Sequence, residues 1–154
     1  MPLTTGIQAP EFALQDENNK IRRLSDFRGR MVVLYFYPKD DTPGCTTEAC
    51  GFRDDYSAYV NADVIIIGIS PDSPHAHEKF KDKFTLPFPL LSDDGHKVCV
   101  QYGVWGPKKF MGREFEGVLR TTFIIDPNGR VARVFENVKP IEHSAEVLAA
   151  IKRL

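Results

Sequence analysis

Two cysteines five positions apart, Cys45 and Cys50, carry the chemistry this sequence can perform. An apolar run, Met31 to Phe36, ends at Pro38, and a loop of turn residues follows with Asp40, Asp41, Pro43 and Gly44. Cys45 then stands where a helix should begin. A cysteine there faces unpaired backbone N–H groups and the positive end of the helix dipole. Both favour the thiolate, which is the reactive form. The pattern reads as a redox enzyme in which Cys45 attacks and Cys50 resolves.

The spacing imposes a condition. Residues five apart on an α-helix are separated by ~7.5 Å of rise and ~140° of rotation, which puts their Cα atoms ~8.7 Å apart. A disulfide does not close beyond ~7 Å without backbone movement. A Cys45–Cys50 bond therefore requires the first helical turn to unwind, so the chain must alternate between a folded attacking form and a locally unfolded one. General dithiol reductases use Cys-x-x-Cys, which closes within one turn, and the Cys-x4-Cys spacing disfavours that activity.

The elements that must hold this pair are legible from periodicity. Phe12 to Leu24, with polar Asp16 to Asn19 between, reads as a short hairpin. Ser25 is expected to cap one helical turn ending at Gly29. Met31–Phe36 and Val64–Ile69 read as strands covered on both faces. Cys45 to about Tyr59 reads as a helix, and so does Pro74 to about Phe84. Leu86 to Leu91 holds two prolines and is expected to be at most an edge strand. His96 to Tyr102 reads as a short helix, and Trp105 to Gly117 as an irregular loop. Thr121–Ile125 and Val131–Phe135 flank Asp126-Pro127-Asn128-Gly129, a hairpin signal. Val147, Leu148, Ile151 and Leu154 mark a final amphipathic helix. Together these predict an α/β fold with a mixed central sheet, helices on both faces and an N-terminal β-hairpin. Ligands of such sheets bind beyond the carboxyl ends of strands, where the Pro38–Cys45 loop lies.

The 154 residues fit a single domain spanning 1–154. A net charge of −1 argues against nucleic-acid and membrane-surface partners. No apolar run approaches the ~20 residues of a membrane span. Met1 to Pro10 shows no export signal, so a reducing, cytoplasmic setting is expected, in which three cysteines are not a disulfide framework. Cys99 is expected to be a buried inert thiol. Arg53 is expected to serve a structural pair. The four histidines, at 75, 77, 96 and 143, suggest no metal site.

The run TPGCTTEAC, preceded by FYPKDD and followed by GFRDDY, resembles the active-site signature of peroxiredoxins, closest to the Q type or bacterioferritin comigratory proteins. The similarity extends through LLSDDGHKVCVQYGVWG and GVLRTTFIIDPNGRV. It implies a thioredoxin-like fold and reduction of hydrogen peroxide and organic hydroperoxides. It also implies a Cys45 sulfenic acid, an intramolecular Cys45–Cys50 disulfide and recycling by thioredoxin, with no cofactor. Cys45 matches the peroxidatic cysteine and Cys50 the resolving one. By the same resemblance, Thr42 would hydrogen-bond thiolate and peroxide, and Pro38 would shield the site from water. Arg120 would hold the thiolate and polarise the peroxide, and Glu48 would orient Arg120. An intramolecular bridge needs no second subunit, so a monomer is expected. A peroxide-sensing switch that signals to a protein partner is the alternative.

Ionisation alone does not supply peroxidase rates. At pH 7 a thiol of pKa ~6 is ~30-fold more ionised than one of pKa ~8.5. The accompanying loss of intrinsic nucleophilicity, taken from disulfide exchange, is ~10–20-fold. The rest must come from aligning the O–O bond with sulfur and stabilising the leaving oxygen. Arg120, the Thr42 hydroxyl and the backbone N–H groups at Gly44 and Cys45 are the donors expected to do this. Phe110 and Met111 offer an apolar surface for organic hydroperoxides.

Overall fold

The computed structural model describes residues 1–154. In chain order it contains strands β1 (Ala13–Gln15), β2 (Ile21–Arg23) and β3 (Met31–Phe36), then helices α1 (Pro43–Asp54) and α2 (Tyr56–Asn61). Strand β4 (Val64–Ser70), helix α3 (Pro74–Phe84), strand β5 (Leu90–Ser92) and helix α4 (Lys97–Gln101) follow. The chain ends with strands β6 (Trp105–Phe110), β7 (Arg113–Val118), β8 (Thr121–Ile125) and β9 (Val131–Phe135), then helix α5 (His143–Lys152). No helix is long and apolar enough to cross a membrane.

Seven strands form one mixed sheet in the order β2-β1-β5-β4-β3-β8-β9. The central strand β3 runs parallel to β4 and antiparallel to β8. Its alternation sorts the core into two layers. Val33 and Tyr35 pack with Cys45, Ala49, Phe52, Phe80 and Val147, under α1, α3 and α5. Val32, Leu34 and Phe36 pack on the other face with Cys99, Tyr102 and Phe123, under α4. Burial on both faces explains why β3 and β4 are unbroken apolar runs.

Four details differ from the sequence-based expectation. Strand β5 lies inside the sheet, between β1 and β4. Both prolines precede it, so they remove no ladder donor, and Pro89 even accepts the Gly68 N–H through its carbonyl. The segment expected to be an irregular loop is a regular antiparallel hairpin, β6–β7. Its turn places Met111 and Gly112 at φ of 52° and 78°. A methionine there is an uncommon turn residue and hid the signal. The helix from Cys45 to Tyr59 is divided at Asp55 into α1 and α2, and α1 begins earlier, at Pro43. The turn after β2 is a 3-10 helix capped from Arg23, whose N–H is held by Asp26 rather than by Ser25.

Candidate active site

The site begins where β3 ends. Thr42 takes the extended N-cap conformation (φ −102°, ψ 155°), Pro43 opens α1, and Cys45 is its third residue. Proline at the first helical position loses no intrahelical bond and pre-sets φ. The Thr42 carbonyl accepts from Thr46 N–H at 2.8 Å, closing the first turn. Cys45 is only 2% exposed, and all three cysteines are free thiols.

Arg120 reaches this sulfur from the sheet. It stands just before β8, antiparallel to β3, so the end of β3 and the start of β8 lie side by side. Its backbone carbonyl accepts from Val138 N–H at 3.1 Å, and Leu119 N–H is tied to Val104 O at 2.7 Å. From this pinned segment the guanidinium donates to Cys45 Sγ (3.3 Å) and to Glu48 Oε1 (2.7 Å). Glu48 lies one helical turn after Cys45, which puts both on the face that Arg120 spans. Gly44 makes the approach possible. A Cβ at Gly44 would lie 3.2 Å from Arg120 Nη2 and 3.6 Å from Pro140 Cγ.

Electrostatics follow from burial. The Glu48 side chain is closed to solvent, and its Oε2 has no hydrogen-bond partner. Burial pushes its carboxyl up to about 7, against the opposing pull of Arg120. Burial also acts to lower Arg120, but the charges of Glu48 and Cys45 outweigh it and leave the guanidinium raised. A guanidinium remains protonated in any case. It therefore presents a fixed cation to the sulfur and to any oxygen bound beside it.

The other residues singled out from sequence fall as follows. Pro38 is half-buried at the end of β3. The Thr42 hydroxyl donates to Lys39 O at 2.9 Å, closing a turn, so its single proton is not directed at sulfur as expected. Its lone pairs remain able to accept. Cys50 is half-buried on the second turn of α1, and burial raises its thiol above the usual range. It borders a cleft with Thr47, Asp54, Pro140 and Ile141. Arg53 pairs with Asp54 and donates to Phe84 O at 2.7 Å.

Sequence reasoning missed Lys108 on β6. Its Nζ donates to Val118 O at 2.9 Å, two residues before Arg120. Burial lowers this amine first, Arg120 lowers it further, and Cys45 opposes them. Only recognition of the β6–β7 hairpin brings Lys108 to the site. The sequence reading names His143 only among the histidines that suggest no metal site. It is buried, pairs with Thr122 Oγ1 (2.8 Å) and Glu146, and packs against Phe52 of α1.

The chain matches the AhpC/TSA family over residues 5–134. It is 47% identical over 152 residues to Peroxiredoxin Bcp of Bacillus subtilis, covering 99% of this chain and 97% of that protein. It is 45% identical over 151 residues to Peroxiredoxin Bcp of Escherichia coli K12, covering 98% and 97%. Among solved structures it resembles the bacterioferritin comigratory protein of Xanthomonas campestris, studied for alkyl peroxide reduction in trapped intermediate and ligand complexes. That match has a TM-score of 0.87 and 35% identity, covering 92% of this chain and 90% of the other. BcpB of Mycobacterium tuberculosis matches with a TM-score of 0.86 and 36% identity, covering 97% of each chain.

Proposed function

The chain belongs to the AhpC/TSA family of peroxiredoxins, and on that premise we infer that Cys45 is the attacking sulfur of a thiol-dependent peroxidase. The observation that carries the assignment is the half-buried Arg120 guanidinium 3.3 Å from Cys45 Sγ, held there by Glu48.

The chemistry runs as a displacement at oxygen. The Cys45 thiolate attacks the terminal oxygen of a hydroperoxide, the S–O bond forms and the O–O bond breaks. The sulfur is oxidised to sulfenic acid, and the departing oxygen takes a proton to leave as water or an alcohol. Arg120 stabilises charge on that oxygen, and the N–H groups opening α1 add to the field. Thr42 Oγ1, whose proton is given to Lys39, accepts the O–H of the bound peroxide. Pro38 and the closed setting of Cys45 keep bulk water from the sulfur. Phe110, Met111 and Phe115 are exposed on the β6–β7 hairpin, an apolar surface suited to organic hydroperoxides.

Resetting needs Cys50. The two sulfurs lie on successive turns of α1, so the turn bearing Cys45 unwinds. Cys50 then condenses with the sulfenic acid, forming the S–S bond and releasing water. An external dithiol reduces the bridge by exchange. Thioredoxin is the reductant we propose, and a monomer suffices because both sulfurs are in one chain. A cytoplasmic location fits this thiol chemistry.

Peroxide consumption measured with and without thioredoxin tests the reading. Sustained turnover that depends on thioredoxin supports it. Slow turnover with a stable partner complex would indicate a sensing switch. In the Cys50→Ser variant, about one equivalent of peroxide should be consumed before the reaction stalls or Cys45 over-oxidises. Unimpaired cycling in that variant would move the resolving role to another thiol.

A further inference from the structure

His77 is the fourth residue of α3, on a helix whose N-terminus is capped by Ser73, and its ring is fully buried. Nε2 lies 2.9 Å from Leu91 O on β5. A carbonyl only accepts, so Nε2 carries a hydrogen. Nδ1 lies 2.6 Å from Asp40 Oδ2. That contact is a short hydrogen bond between imidazole and carboxyl. The other Asp40 oxygen accepts from Tyr37 O–H at 2.6 Å. The Asp40 N–H donates to Asp72 Oδ2 at 2.8 Å, and that same oxygen accepts from Ser70 O–H at 2.7 Å. Groups after β3 and β4 and on α3 thus converge on Asp40.

Asp40 lies two residues before the N-cap of α1. Asp41 turns through a left-handed conformation, φ 57°. Thr42 then folds back to Lys39 through its hydroxyl and holds the first turn of α1 through its carbonyl. The loop placing Cys45 is anchored to the body of the protein at Asp40. On the solvent side of this loop, Asp41 is paired with Lys83 at 2.8 Å, an exposed contact worth little.

We propose that His77, acting through Asp40, is a positioning residue that clamps the 38–42 loop and thereby sets the balance between the attacking and unwound forms of α1. The proposal rests on the peroxidase reading above. A buried imidazole–carboxyl pair is a poor source of net stability, because desolvation offsets the attraction. What it supplies is a fixed geometry. Asp40, Asp72 and His77 also bring potential metal-ligand atoms within 4.8 Å of one another. Hydrogen bonds from protein groups already engage Asp72 Oδ2 and both Asp40 oxygens, so the cluster closes without an ion.

A loosened clamp moves the two chemical steps in opposite directions. Attack slows because Cys45 is no longer held against Arg120. Disulfide formation quickens because the first turn unwinds more readily, and over-oxidation needs more peroxide. Single-turnover reaction of the full chain with hydrogen peroxide, quenched by thiol blocking and read by intact mass, resolves both steps. His77→Asn places an amide N–H where Nδ1 stands and keeps the bond to Asp40. His77→Gln places it where Nε2 stands and keeps only the bond to Leu91.

The Asn variant should attack within about threefold of the native rate. The Gln variant should attack about tenfold or more slowly, with disulfide formation faster than native. A role in packing alone predicts the reverse order, since glutamine is closer to histidine in volume. Equal attack rates in the two variants, or both steps slowing together, would overturn the clamp. If neither His77 variant folds, Asp40→Asn must show the same opposed shift, and native rates there would overturn it equally. Failure of the native chain to consume peroxide would instead overturn the peroxidase reading.

Discussion

Cys45 is the third residue of α1 and Cys99 the third residue of α4, and both thiols are almost closed to solvent, 2% and 0% exposed. Their neighbours are opposite in charge. Cys45 Sγ accepts a hydrogen bond from Arg120. Cys99 lies beside Asp93, whose carboxylate caps α4 by accepting from Val98 N–H (3.1 Å) and Cys99 N–H (2.8 Å). Burial first, and then Asp93, push the Cys99 thiol far above the usual range. A helix terminus contributes ~0.3–1 kcal/mol to a nearby charge. A hydrogen bond to a charged group contributes ~1.5–3 kcal/mol. The comparison teaches that the position on the helix is common to both thiols, and that the charged group packed beside each is what sets them apart.

The sharpest way to break that contrast is to exchange the two thiols in turn. Cys45→Ser should abolish peroxide turnover in a coupled assay, whereas Cys99→Ser should leave it within about twofold of native, as expected for a buried thiol with no part in the chemistry. Next in size is Arg120→Met, which removes the cation but keeps much of the side chain's bulk. Attack should slow by about 10²- to 10³-fold, as for other lost charge-stabilising donors. Circular dichroism should show the fold retained. On the Cys99 side, Asp93→Ala removes the cap of α4 and should cost about 1–2 kcal/mol in a denaturant titration, with peroxide turnover unchanged.

Among the residues around Cys45, Glu48→Gln should give the smallest effect, a few-fold loss in attack rate, because the amide still accepts from Arg120. It also changes the pH dependence of stability. The folded Glu48 carboxyl titrates at about 7, above its unfolded value, so the folded state binds more protons between the two. Its contribution is present at low pH and is lost as pH rises through about 7. The Gln variant should therefore show a flatter stability profile over that window. An unchanged profile would mean that Glu48 is not held in a desolvated site.

Much of this site was legible in the chain because its parts are local. The β3 run, the Pro-Gly turn and the Cys-x4-Cys spacing all fall within twenty residues. Arg120 was reachable only through the family resemblance, since nothing in its neighbourhood distinguishes it from a surface charge. Its contact with Cys45 arises from the antiparallel pairing of β3 and β8, a long-range fact that periodicity does not encode. The sequence does not mark out His77, because His75 and His77 are two apart and do not share a helix face. Its partner is not another histidine but Asp40, 37 residues earlier. Lys108 was lost with the hairpin that Met111 disguised, and β5 was misplaced because its prolines lie outside the ladder.

Disulfide mapping of the peroxide-treated native chain tests the central claim most directly, because the two sulfurs are too far apart on an intact α1 to bond. Trypsin releases residues 40–53 as one peptide holding both cysteines. The account predicts that this peptide becomes lighter by two hydrogens after one turnover and resists alkylation until reduced, with Cys99 still free. A peptide that accumulates sulfinic acid at Cys45 with Cys50 unbonded, or a bridge that includes Cys99, would contradict it.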